Sequence, residues 1–109
     1  MGQPGSGRVR RGEVWQLDSG HRTVIVSADA VNAVGRPWCA PIVRSAGPVP
    51  PVLAVFAPST IEADPVTGTV LLMETTPVPA ASLHAPVGVL VGATMARITD
   101  GLRVLLDIP

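Results

Sequence analysis

No lysine occurs among the 109 residues, and a single cysteine, Cys39, has no partner for an internal disulfide. One thiol inside an apolar, strand-like run reads as a buried and inert side chain, and it fits a reducing cytoplasm. His21 and His84 are the only histidines, and neither has further donors at metal-ligand spacing, so no metal and no other cofactor is expected. No apolar run approaches the ~18–20 consecutive residues of a membrane span, so no membrane partner is expected. The opening MGQPGSGRVR lacks the apolar segment of a secretory signal. Eight basic residues balance eight acidic ones, so net charge does not advertise a polyanion partner. That all the basic residues are Arg needs no explanation beyond the coding bias of a GC-rich genome.

The chain has the length of one domain. Gly2, Pro4, Gly5 and Gly7 mark residues 1–9 as a disordered arm, leaving 10–109 as the folded unit. Val14 and Leu17 predict a strand over Glu13–Asp18, and Val24, Ile25 and Val26 predict a second over Thr23–Ser27. Between them Asp18-Ser19-Gly20 supplies the turn. A short Ala-rich helical turn follows at Ala28–Val34, with Ser27 or Asp29 as its cap. Trp38–Arg44 returns to strand character, and Pro37 and Pro41 point to an edge or a bend. After the Gly47-Pro48 and Pro50-Pro51 connection, apolar runs at Val52–Ala57, Thr69–Glu74 and Val87–Val91 read as strands, with a helical turn at Ala80–Leu83. From Ala93 the period changes. Met95, Ile98, Leu102 and Leu105 recur at three- and four-residue spacing, predicting an amphipathic helix of about fourteen residues with Gly101 packed closely. Trp15 and Trp38 read as core or interface aromatics, and Met73 and Met95 as core fillers. Short strands with turn-rich links and one closing helix predict an α+β fold, a small SH3-like antiparallel barrel.

Within that frame Arg22 stands out. A guanidinium at the root of a strand is always charged and offers a planar fork of donors, a suitable holder for phosphate. His21 beside it is the candidate proton-transfer group, because imidazole titrates near neutrality.

Taken in order, these pieces resemble the MazF/PemK family of type II toxin–antitoxin ribonucleases, whose barrel is CcdB-like. RRGEVWQLD at Arg10–Asp18 is similar to the family's first strand and HRTVIVS at His21–Ser27 to its second. ADAVNA at Ala28–Ala33 resembles the helical turn that follows, and APIVRS at Ala40–Ser45 the third strand. VGVLVGATMARITDGLRVLLDI at Val87–Ile108 resembles the closing strand and helix. The resemblance implies a homodimer with a cognate antitoxin. It also implies metal-independent cleavage of single-stranded RNA, the ribose 2′-hydroxyl attacking the adjacent phosphate. Arg22 matches the family's catalytic Arg. The family's Ser or Thr at the end of the third strand is replaced here by Val43, and Ser45 is the candidate substitute. The usual long Glu-containing first loop is reduced to Ser19 and Gly20. Gln16, Arg44, Glu74 and Thr76 are candidate RNA contacts; Glu74 falls where relatives carry an acidic residue or Gln, and no Arg follows it. Two other classes remain: a module of the same fold that binds nucleic acid or protein without cleaving, and a gyrase inhibitor. The gyrase inhibitors end in Trp-Gly-Ile, whereas this chain ends Leu106-Asp107-Ile108-Pro109.

Overall fold

Strand formers on either side of Asp18-Ser19-Gly20 make the first hairpin, from β1 (Glu13–Leu17) and β2 (Arg22–Ile25). The two are antiparallel, with Val14 opposite Val24 and Gln16 opposite Arg22. Gly20 takes a φ of +90°, which a side chain would strain, and the Leu17 N–H donates to the His21 carbonyl at 2.7 Å. In the computed structural model the described residues are 9–44, 54–57 and 65–109, with only the strand itself described for 54–57. The arm over 1–8, Ser45, the proline-rich connection and residues 58–64 lie outside the described residues. Val9, assigned to the arm, is buried against the sheet.

A one-turn helix α1 (Asp29–Asn32) leads from β2 to β3 (Trp38–Val43). Neither Ser27 nor Asp29 caps it: the Ser27 hydroxyl bonds the Asn32 side chain and accepts from the Trp38 N–H at 2.9 Å. Asp29 instead accepts the Arg11 N–H at 3.1 Å. β3 lies against β2 with Arg22 opposite Ile42 and Ile25 opposite Cys39. Its other side pairs twice, with β6 (Thr76–Pro77) at Trp38 and Cys39 and with β5 (Gly68–Leu71) at Ile42 and Val43. Pro41 falls at the break between these pairings, so a proline sits inside the sheet rather than on its edge. β4 (Ala54–Ala57) and β7 (Leu83–Val89) are the ends of the order β4-β5-β3-β2-β1-β7. Among the described residues no pairing joins those two ends, so the expected barrel is an antiparallel sheet not closed by hydrogen bonds.

Alternation sorts the strand residues onto two faces. Val14, Val24, Ala40, Ile42 and Val70 join one buried cluster with Leu72, Leu90 and Ile98. Trp15, Ile25, Cys39 and Leu83 join the other with Val9. The first face is covered by α2 (Gly92–Leu106), whose buried residues Thr94, Ile98 and Gly101 follow the helical period. Gly101, inside the helix, is buried.

Several elements depart from the sequence expectations. The run from Thr69 to Glu74 is not one strand; it turns at Leu72–Glu74 into a 3₁₀ turn that buries Leu72 and leaves Met73 exposed. The last strand begins at Leu83 and runs through Pro86 to Val89. Among the described residues it pairs only with β1 and shifts register twice along it, which is how an edge strand accommodates a proline. Trp15 is buried and Trp38 is about half exposed.

Candidate active site

In an antiparallel sheet the end of one strand meets the start of the next. The end of β1, the start of β2, the end of β3 and the start of β5 therefore share one end of this sheet. An open cleft of about 550 Å³ lies there, lined by Gln16, Gly20, His21, Arg22, Ile42–Arg44 and Val66–Thr67.

Arg22 is held between Gln16 on β1 and Ile42 on β3. Two residues inward, its face of the sheet carries the fully buried Val24, so the backbone beneath the guanidinium is fixed by core packing. Among the described residues the guanidinium has no ion pair, and none of the cleft-lining residues is a carboxylate. Arg44, two residues beyond Ile42, lines the same cleft. β3 ends at Val43, so alternation no longer governs the next residue. His21 is exposed in the turn, and its Nδ1 is 3.0 Å from the Ser19 hydroxyl. Its Nε2 has no protein partner among the described residues. Arg22, Arg44 and His21 thus line one cleft that has no carboxylate among its described residues, a balance of charge that favours an anion such as a phosphodiester.

Four sequence candidates, Arg22, His21, Gln16 and Arg44, are gathered here. Ser45 lies outside the described residues. Glu74 and Thr76 are elsewhere: Thr76 pairs with Cys39 near the start of β3, whereas Arg22 pairs with Ile42 near its end. That is three residues of strand, about 10 Å. Glu74 belongs to the 3₁₀ turn at the same far end. Sequence reading missed Thr67, which lines the cleft just before β5. Nothing local marks it, because its position depends on pairing between β3 and β5. Gly68 makes that approach possible: a Cβ there would lie 2.7 Å from the Val43 carbonyl oxygen and 2.9 Å from Ile42 Cγ2.

Cys39 takes no part in the cleft. Burial pushes its thiol up to about 12, partly offset by a Thr23 hydrogen bond, so it stays protonated and inert. Among the described residues no three His, Cys, Asp or Glu side chains are gathered as a metal site. No helix among them is long and apolar enough to cross a membrane.

No protein-family model matches the chain, and no curated protein matches it in sequence. Solved structures match it in fold. An endoribonuclease from a mycobacterial species superposes with a TM-score of 0.77 at 26% identity, covering 92% of each chain. A mycobacterial endoribonuclease in complex with its cognate antitoxin gives a TM-score of 0.79 at 24% identity, over 92% of this chain and 96% of that one. A MazE–MazF structure from Deinococcus radiodurans gives 0.77 at 22% identity, over 92% of this chain and 97% of that one. In fold this chain is therefore MazF-like, as its strand order and opening motifs resembled in sequence.

Proposed function

We propose that this chain is the toxin of a type II toxin–antitoxin pair, a metal-independent endoribonuclease acting on single-stranded RNA at a short sequence. It works as a cytoplasmic homodimer neutralised by a cognate antitoxin. One observation carries the reading. Arg22, without an ion pair among the described residues, lines a cleft with Arg44 and His21, and the described lining residues include no carboxylate.

The chemistry such a cleft can perform is internal transesterification. The ribose 2′-oxygen bonds to the adjacent phosphorus, the bond from phosphorus to the 5′-oxygen breaks, and a 2′,3′-cyclic phosphate and a 5′-hydroxyl remain. Negative charge gathers on the non-bridging oxygens in the transition state, where a fixed guanidinium stabilises it most. Arg22 is assigned that role. The 2′-hydroxyl must lose a proton and the leaving 5′-oxygen must gain one, and His21 Nε2 is assigned to proton transfer. With Nδ1 donating to Ser19, the neutral ring leaves the Nε2 lone pair as the base, and the doubly protonated ring makes Nε2–H the acid. Arg44 and Gln16 would hold flanking phosphate and sugar, and Ser45 remains a candidate hydroxyl one residue beyond Arg44.

The test is incubation of purified protein with RNA in the presence of a chelator, followed by mapping of new 5′-hydroxyl ends. Cuts at one short motif, absent with Arg22→Ala, support the nuclease. Val43, which lacks the hydroxyl of the resembling family, favours a second reading: a binding module that grips nucleic acid or protein without cutting. RNA bound by the wild-type protein but left intact would favour that module.

A further inference from the structure

Arg22 holds a phosphate in the same way whatever base is attached, so a choice of sequence needs another group in the cleft. We propose that Gln16 is that group: its side-chain amide reads the edge of a base flanking the scissile phosphate, and adenine is the base it fits. This rests on the nuclease reading of the cleft and deepens it, from the sugar beside Gln16 to the base which that sugar carries.

Strand pairing fixes the face on which Gln16 stands. Directly opposed residues of an antiparallel pair project from the same face. Gln16 is opposite Arg22 and Arg22 is opposite Ile42, so the three form one row across β1, β2 and β3. Alternation agrees: Val14, two residues before Gln16, belongs to the buried cluster that holds Val24 and Ile42. Trp15 and Leu17, on either side of Gln16, pack with the other cluster. The amide itself is open. Gln16 is half-buried, its side chain makes no hydrogen bond among the described residues, and no buried side-chain nitrogen or oxygen among them lacks a partner. The amide therefore reaches the surface, and the opening that Gln16 lines is the cleft of Arg22 and Arg44.

Cβ atoms of directly opposed residues are about 5 Å apart, so a phosphate on Arg22 has the Gln16 amide one strand to its side. A nucleotide flanking that phosphate would bring its base there. Both arginines of the cleft can only donate. An amide sets an acceptor beside two donors in one plane: its N–H donates to N7 of adenine while its carbonyl accepts from the N6 amino group. Single-stranded RNA leaves that edge free for a side chain to read. On the far side of Gln16 its β7 partner is Ala85, whose methyl group offers no competing hydrogen bond.

The test gives the purified full chain two sets of short RNAs, one varying the base on the 5′ side of the cut and one varying the 3′ side. Wild type should prefer adenine in one set by about 10–10²-fold in kcat/KM. Gln16→Met keeps the length and loses the amide, and it should bring that set within about threefold of one another. Replacing the adenine by 7-deazaadenine, which lacks the N7 acceptor, should slow wild type about fivefold and leave Gln16→Met as it was. That second arm reads the contact in the unaltered protein. A base preference unchanged in Gln16→Met overturns the assignment. So does a uniform loss on every RNA, which would put Gln16 on the sugar–phosphate chain, or a wild type indifferent to N7. If wild type cuts no RNA, the nuclease reading fails separately. Gln16 is then judged by the Kd of all-2′-O-methyl oligoribonucleotides: an adenine preference that Gln16→Met removes supports base reading, and equal affinity for all bases rejects it.

Discussion

Replacing Arg22 by Ala should abolish nearly all cleavage while leaving the fold intact. The guanidinium is exposed at the start of β2 and has no ion pair or hydrogen bond among the described residues. Its loss should therefore change folding free energy by no more than about 0.5 kcal/mol. In the transition state the fork can make two charge-assisted hydrogen bonds, each contributing about 1.5–3 kcal/mol. Together they amount to roughly 3–6 kcal/mol, and at about 1.4 kcal/mol per tenfold the rate falls by 10²–10⁴. Lys at this position keeps the charge but presents it as a point, so Arg22→Lys should retain part of the rate, about 10–10²-fold below wild type. The assay is single-turnover cleavage of an end-labelled RNA, with thermal unfolding measured on the same preparations. Arg22→Ala cleaving within about threefold of wild type would refute the assignment. A melting temperature lower by more than a few degrees would show instead that Arg22 holds the fold.

Gly68→Ala should destabilise by about 2 kcal/mol or more, because the new Cβ would meet the Val43 backbone oxygen at 2.7 Å and neither strand can yield; chemical denaturation checks it. Ile98→Ala, at a fully buried position on α2, should cost about 2–5 kcal/mol, read as a lower urea midpoint at unchanged slope. Cys39 should resist thiol reagents at pH 8 in the native protein and react at once when unfolded. Its folded pKa, raised to about 12, lies above the unfolded value near 9. Its contribution to stability is therefore full below about pH 9 and is lost as pH rises toward 12, which alkaline unfolding titrations would show.

Local pattern was enough for much of the fold. Alternation around Asp18-Ser19-Gly20 announced the first hairpin, and the spacing of Met95, Ile98 and Leu102 announced α2. Pro86 hid the first half of β7, and the edge or bend expected from Pro37 and Pro41 is, at Pro41, a break in pairing inside the sheet. The continuous apolar run at Val70–Met73 concealed the bend into the 3₁₀ turn, since periodicity cannot tell a buried strand from a short turn. The site divides in the same way. Arg22 and His21 were legible because a tight turn fixes them against their own hairpin. Arg44, Thr67, Glu74 and Thr76 depend on which end of the sheet each segment reaches, and pairing between distant strands decides that. The resemblance therefore named Glu74 and Thr76 as RNA contacts although they lie at the far end of β3, and Thr67 was passed over.

The cleft itself can be observed directly by recording amide NMR spectra during titration with an all-2′-O-methyl oligoribonucleotide, which cannot undergo the 2′-attack. Shifts confined to Gln16, Gly20–Arg22, Val43–Arg44 and Val66–Thr67 are the predicted result. Shifts concentrated on Trp38, Met73, Thr75 and Leu105, which line an apolar hollow at the other end of the sheet, would contradict it.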